Sequence, residues 1–161
     1  MTFSELENML PNGFHDSALY RWTVDYVRGT LRMDMSLCVG DPDGPREHWD
    51  DVRDARVDIS GLIFFAIEPP DQGSDYCSAL RSELCIVDTH ETRDLRPRSK
   101  IVDKKLLAAI PADAFVYSFF VRDWNAFIHI AAKDCSMDWL GEPQNYQGSR
   151  QHFVSGDSVH L

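Results

Sequence analysis

Apolar positions recur along this chain with two different periods, and the change from one to the other divides it into elements. In residues 2–10, Phe3, Leu6 and Leu10 fall on one helical face, and Ser4 with Glu7 three positions later makes a capping-box pattern, so a short helix is predicted. Pro11-Asn12-Gly13 ends it. The period then drops to two. Ala18, Tyr20, Trp22, Val24 and Tyr26 share one face, and Arg21, Thr23 and Asp25 take the other. After Arg28-Gly29 the alternation resumes, with Leu31, Met33, Met35, Leu37 and Val39 set against Arg32, Asp34, Ser36 and Cys38. Two such runs joined by a tight turn predict a β-hairpin.

The breaker cluster at residues 40–45 and the charged stretch at 46–54 predict a long exposed loop. A third strand follows through Ala55, Val57 and Ile59, bends at Gly61 and resumes over residues 62–67 until Pro69-Pro70 stops it. Residues 71–78 are polar. Strand character returns at 83–88, and residues 89–99 are charged and aperiodic. A short helical segment at 102–110 is closed by Pro111, and the aromatic-rich runs 115–121 and 126–132 predict a second hairpin. The expected fold class is α+β, a mostly antiparallel β-sheet of about six strands with two short helices. Residues 1–141 form a single domain in this reading, and 142–161 a polar C-terminal tail.

Composition narrows the function classes. With 161 residues, 43% of them hydrophobic, the chain is long enough to bury roughly 70% of its unfolded surface. Cys38, Cys77, Cys85 and Cys135 form no C-x-x-C pair and no zinc spacing, so reduced thiols are expected. The first residues lack a basic start followed by an apolar core, and no run approaches the roughly 20 apolar residues of a membrane span. The expected location is cytoplasmic, with no membrane partner. Sixteen Lys and Arg against 26 Asp and Glu give a net charge of −10, which argues against binding nucleic acid, because counterion release needs clustered cations.

Three clusters invite a chemical reading. In Phe14-His15-Asp16-Ser17, a carboxylate beside an imidazole suits acid/base or metal chemistry. Adjacent residues on extended backbone point to opposite sides, however, so the structural reading has Asp16 or Ser17 capping local backbone. The loop with Asp41, Asp43, Glu47, His48, Trp49, Asp50 and Asp51 gathers hard oxygen ligands around one imidazole, but it lacks the twelve-residue calcium pattern and its terminal glutamate. A solvated charged loop is the plainer reading. His90, within Asp88-Thr89-His90-Glu91, has His129 as a distant candidate partner, and His129 itself reads as a half-buried sheet histidine.

No G-x-S-x-G elbow, G-x-G-x-x-G or Walker sequence occurs, and no cofactor is implied. Among the four tryptophans, Trp22 fits a core face, whereas Trp49 lies among carboxylates, as an interaction anchor or as a lid folded over the sheet. The acidic balance, this exposed aromatic and the lack of a complete catalytic motif point to a non-enzymatic domain. Its loop, Asp41 to Asp51, would contact a basic protein partner. Two alternatives stay open: an enzyme or small-ligand or metal site around His15 and Asp16, and a structural domain that self-associates through a sheet edge.

The block Phe14-His15-Asp16-Ser17 leading into a strand at 19–27, together with a late tryptophan, Trp139, resembles small bacterial immunity proteins of polymorphic toxin systems. The resemblance covers about a fifth of the chain. It implies a binder that neutralises a toxin by covering its active site, with an acidic surface set against a basic enzyme.

Overall fold

In the computed structural model, residues 1–70, 84–91 and 101–145 are described. The polar run 71–78, most of the charged stretch 89–99 and the tail beyond 145 lie outside the described residues. Helix α1 spans Phe3–Glu7, and the strands β1 (Ser17–Asp25), β2 (Thr30–Cys38), β3 (Asp51–Ser60) and β4 (Phe64–Ile67) follow. Next come β5 (Leu84–Glu91), helix α2 (Lys104–Ala108), β6 (Phe115–Val121), β7 (Ala126–Ala132), β8 (Asp134–Trp139) and the two-residue β9 (Gln144–Asn145). Every pairing is antiparallel, in the order β4-β7-β6-β5-β1-β2-β3-β8, with β9 beside β3.

The bend expected at Gly61 is present and organises the sheet. Before it, β3 pairs with β8, Ser60 opposite Asp134; after it, β4 pairs with β7, Phe64 opposite Ala131. Two strands therefore turn the same corner together, one at Gly61 and the other at Lys133. Gly61 has φ +61°, and a Cβ there would lie 2.9 Å from Lys133 Cβ, so both backbone conformation and space call for glycine. Because β4 continues β3 and β8 continues β7, the sheet folds back on itself. Trp22 on β1 reaches Phe65 on β4 across the fold, with ring centroids 5.9 Å apart.

The inner faces carry the residues the alternation selected. Leu31, Met33, Met35 and Leu37 on β2, Val57 and Ile59 on β3, and Ile128 and Ile130 on β7 are all buried. In β1 the face differs from the expectation, because a bulge at Tyr20 lets Leu19 oppose Met35 while Arg21 opposes Asp34. Leu19, Trp22 and Val24 therefore face the core, and Tyr20 leaves the row. Helix α1 is too short to persist alone and is held by its contacts. Phe3 stacks on Tyr117 at 4.9 Å and meets Phe14, Phe115 and Phe119 within 5.7 Å. Its capping box uses Thr2 and Glu5 rather than Ser4 and Glu7; the Glu7 carboxylate instead accepts from the Thr89 hydroxyl.

On the outer face, the row Arg21, Asp34, Arg56 and Asp138 crosses four strands. Arg21 donates to Asp34 Oδ2 from Nε and Nη2 at 2.8 and 2.6 Å, and Arg56 Nε donates to Oδ1 at 2.9 Å. Burial alone would raise the Asp34 pKa, but the hydrogen bonds from the two guanidinium groups outweigh it and hold the carboxyl below its ordinary value. A second, smaller apolar cluster seats Leu107 of α2, with Val102 and Ile110, on Val116 and Ala131. The Asp103 side chain caps this helix, accepting from Lys105 and Leu106 N–H at 2.9 Å.

Several expectations need correction. The described residues form nine strands rather than about six, since the third expected strand divides at the Gly61 bend into β3 and β4, and β8 and β9 were not anticipated. The charged stretch is not loop to residue 54: β3 begins at Asp51, because Val52, Arg53 and Asp54 pair with Cys38, Leu37 and Ser36. Order also extends into the expected tail, where Gln144 and Asn145 pair with Val52 and Asp51. Phe3→Ala should cost about 3–5 kcal/mol in urea unfolding, since it empties a fully buried ring site. A loss below about 1 kcal/mol would show that α1 is not part of the core.

Candidate functional site

The turn after α1 presents the first candidate residues. His15 N–H donates to Asn12 C=O at 3.1 Å and Ser17 N–H to Phe14 C=O at 3.3 Å, closing the backbone before β1. Asp16 adopts a left-handed conformation, φ +56°. That departure from extended backbone brings its Oδ2 within 3.0 Å of His15 Nδ1, correcting the expectation that the two side chains diverge. Both are exposed. Phe14 enters the core, and Ser17 is buried, its hydroxyl accepting from Cys38 N–H at 3.2 Å. The four-residue block thus divides into two structural residues and an exposed imidazole–carboxylate pair.

The loop between β2 and β3 is braced at several points. Val39 and Gly40 N–H both donate to Asp51 C=O, and a Cβ on Gly40 would fall 1.9 Å from Trp49 C=O, a space only hydrogen can occupy. Trp49 Nε1–H donates to Gly44 C=O at 2.9 Å, and Asp43 N–H to the Asp41 carboxylate at 2.9 Å. His48 Nδ1 lies 2.9 Å from Asp51 Oδ2, while Asn145 Nδ2 donates to Glu47 C=O and Asp51 Oδ1. Asp51 is therefore a strand residue already engaged by the fold, not a free loop carboxylate as expected. Asp41, Asp43, Glu47, His48 and Asp50 remain exposed, as does Trp49 at 45%.

Asn12 links the two segments, donating from Nδ2 to Gly40 C=O. Between them lies an open cleft of about 420 Å³, whose lining includes Asn12, His15, Asp16, Cys38, Trp49 and Asp50. The cleft thus brings His15 and Asp16 of one sequence cluster to Trp49 and Asp50 of the other, whereas Asp41, Asp43, Glu47, His48 and Asp51 are not among its described lining residues. Asn12 and Cys38 were missed there, because their place in the lining depends on how β2 and the N-terminal turn come together.

Among the described residues, His90 and His129 sit elsewhere, on the sheet. His129 is buried, with Nδ1 2.8 Å from Ser118 Oγ and Nε2 3.2 Å from Glu68 Oε1. Glu68 Oε2 also accepts from Phe127 N–H at 3.1 Å. Burial lowers the His129 pKa against the opposing pull of Glu68, so the ring is held neutral. The network assigns Nε2–H to Glu68 and leaves Nδ1 to accept the Ser118 hydroxyl. The serine–histidine–carboxylate order is that of a nucleophilic triad, but all three side chains are buried, and the chain ties the segment after β4 to the β6–β7 hairpin. Glu68 and Ser118 escaped the sequence reading, since neither belongs to a local motif. In register, His90 opposes Ser118, which opposes His129, so one row crosses the three strands. Among the described residues no three His, Cys, Asp or Glu side chains are grouped to hold a metal ion. No helix there is long and apolar enough to cross a membrane.

No family model matches the chain, and no curated protein matches it. Among solved structures it is similar to the crystal structure of an uncharacterized protein from Neisseria gonorrhoeae, at 15% identity and a TM-score of 0.44, over 78% of this chain and 92% of that one. A likeness at this level carries no functional argument.

Two outcomes check this geometry. His129 is neutral in the fold and has an ordinary pKa near 6.5 when unfolded, so the unfolded chain takes up the extra proton as pH falls. Stability from this group should be intact above about pH 6.5 and decline below it. Urea midpoints at pH 8 and pH 5 should therefore differ more in the wild type than in His129→Gln; equal differences would refute the assignment. Gly40→Ala should displace residues 48–49, costing about 1–3 kcal/mol and shifting the Trp49 indole N–H resonance. An unmoved resonance would mean that the close approach does not brace the loop.

Proposed function

We propose that the protein is a non-enzymatic binding domain that docks a basic protein partner through the loop between β2 and β3, in the manner of the immunity proteins that its Phe14–Ser17 block resembles. The observation that carries this reading is a braced loop with an exposed acidic surface. Asp41, Asp43, Glu47 and Asp50 are exposed on the same loop as the half-exposed Trp49, and hydrogen bonds from Asn12, Trp49 and Asn145 hold the loop before any partner arrives. A loop fixed in advance loses less conformational entropy on binding. The net charge of −10 favours steering of a cationic partner, and an indole among carboxylates has the composition of an interface anchor. The cleft beside the loop supports a second reading, a small-ligand site around His15 and Asp16.

Affinity purification from the native host should recover a basic protein whose affinity falls steeply as salt rises from about 50 to 500 mM. Replacing Asp41, Asp43 and Asp50 with Asn and Glu47 with Gln together should weaken it about tenfold or more and flatten the salt dependence. Failure to recover a basic partner, or an affinity indifferent to these charges, defeats the docking reading.

A further inference from the structure

We infer that the cleft between the N-terminal turn and the β2–β3 loop receives a guanidinium group, an arginine side chain of the basic partner, with Trp49 as its stacking surface and Asp16 and Asp50 as its counter-charges. The inference rests on the docking reading and names the chemistry of one contact within it.

Among the described residues, the lining contains an indole and two carboxylates and neither lysine nor arginine. Asp50 makes no ion pair among the described residues, and Trp49 has no cation over its ring among them. Asp16 is held in place by His15 at 3.0 Å, and the Trp49 N–H end is fixed on Gly44 C=O. The indole is thus anchored by its edge while nearly half of the residue stays exposed. Such a site favours a cation.

The kind of cation follows from two further facts. The described carboxylates, imidazoles and thiols form no metal-holding group, which disfavours a compact metal ion. The protein also seats its own arginine on the same pair of features elsewhere. The Arg53 guanidinium lies 4.5 Å from the Trp139 ring centroid while its Nε donates to Gly141 C=O at 2.6 Å. Trp49 with Asp16 and Asp50 offers the same combination of indole and oxygen acceptors, now with full negative charge and, among the described residues, without an internal arginine. A planar, weakly hydrated guanidinium stacks on indole and donates in a fork, which a lysine ammonium cannot do. A volume of about 420 Å³ lies within the range of ligand sites and is large enough for one side chain.

The test uses the full chain, labelled with nitrogen-15, titrated with N-acetyl-arginine methylamide and with its neutral isostere, N-acetyl-citrulline methylamide. The arginine probe should produce saturable shifts at the Trp49 indole N–H and at residues 12–16 and 49–52, and the citrulline probe should not. Trp49→Ala and Asp50→Asn should each weaken the arginine response at least fivefold. Asp50 is exposed, so its variant keeps the test valid if Trp49→Ala disturbs the loop. Equal shifts from both probes, or unchanged arginine affinity in Asp50→Asn, overturn the inference. A basic partner that still binds with wild-type affinity to Trp49→Ala and Asp50→Asn, but not to the four-charge loop variant, overturns it too while leaving the docking reading intact. Arginine-selective shifts without a recoverable basic partner support the cleft's ligand class and defeat docking alone.

Discussion

Gly61 and Lys133 meet where two strands change direction together, and the other layers of the molecule depend on that corner. A nine-stranded antiparallel sheet left open would expose one long apolar face to water. Folding it at a shared corner puts β4 and β7 across from β1, so that Trp22 can touch Phe65. The enclosed space is then filled by aromatic rings from α1, the following turn and β6. Glycine is needed at the corner because the backbone there is left-handed and the partner strand approaches within side-chain distance.

The candidate site inherits its geometry from this core. Phe14 packs with Phe119 and Tyr117, which fixes the turn carrying His15 and Asp16 at the end of β1. The β2–β3 loop leaves the neighbouring strands beside it, and its backbone is pinned by Asp51, Asn12 and Asn145. An acidic, aromatic cleft thus rests on a rigid frame. Preorganisation of this kind is what lets a small polar surface bind without a large ordering cost.

Two buried polar clusters show different answers to the cost of removing charge from water. Asp34 stays ionised because Arg21 and Arg56 surround it with hydrogen bonds from charged donors. His129 stays neutral because burial disfavours the cation more than the Glu68 carboxylate favours it, while that carboxylate and one hydroxyl satisfy its two nitrogens. The first ties three consecutive strands, β1, β2 and β3, and the second ties the segment after β4 to the β6–β7 hairpin, so both add specificity of register to the apolar packing.

Local patterning was enough to determine the α+β class, both hairpins, the Gly61 bend and most of the inward-facing residues. Alternation of period two and the placement of glycine and proline are set by neighbouring residues alone. It was not enough for the bulge at Tyr20, which shifts the face of β1 without altering composition, or for β9, whose two polar residues are strand only because Asp51 and Val52 lie beside them. The site divided in the same way. His15 and Asp16, and the acidic loop with Trp49, stood out as chemistry, but their meeting in one cleft with Asn12 and Cys38, and the link of His129 to Glu68 and Ser118, came only with tertiary structure. The sequence specifies each residue's preference over a few neighbours, whereas convergence of residues 12 and 40, or 68 and 129, depends on the path of the whole sheet around its corner.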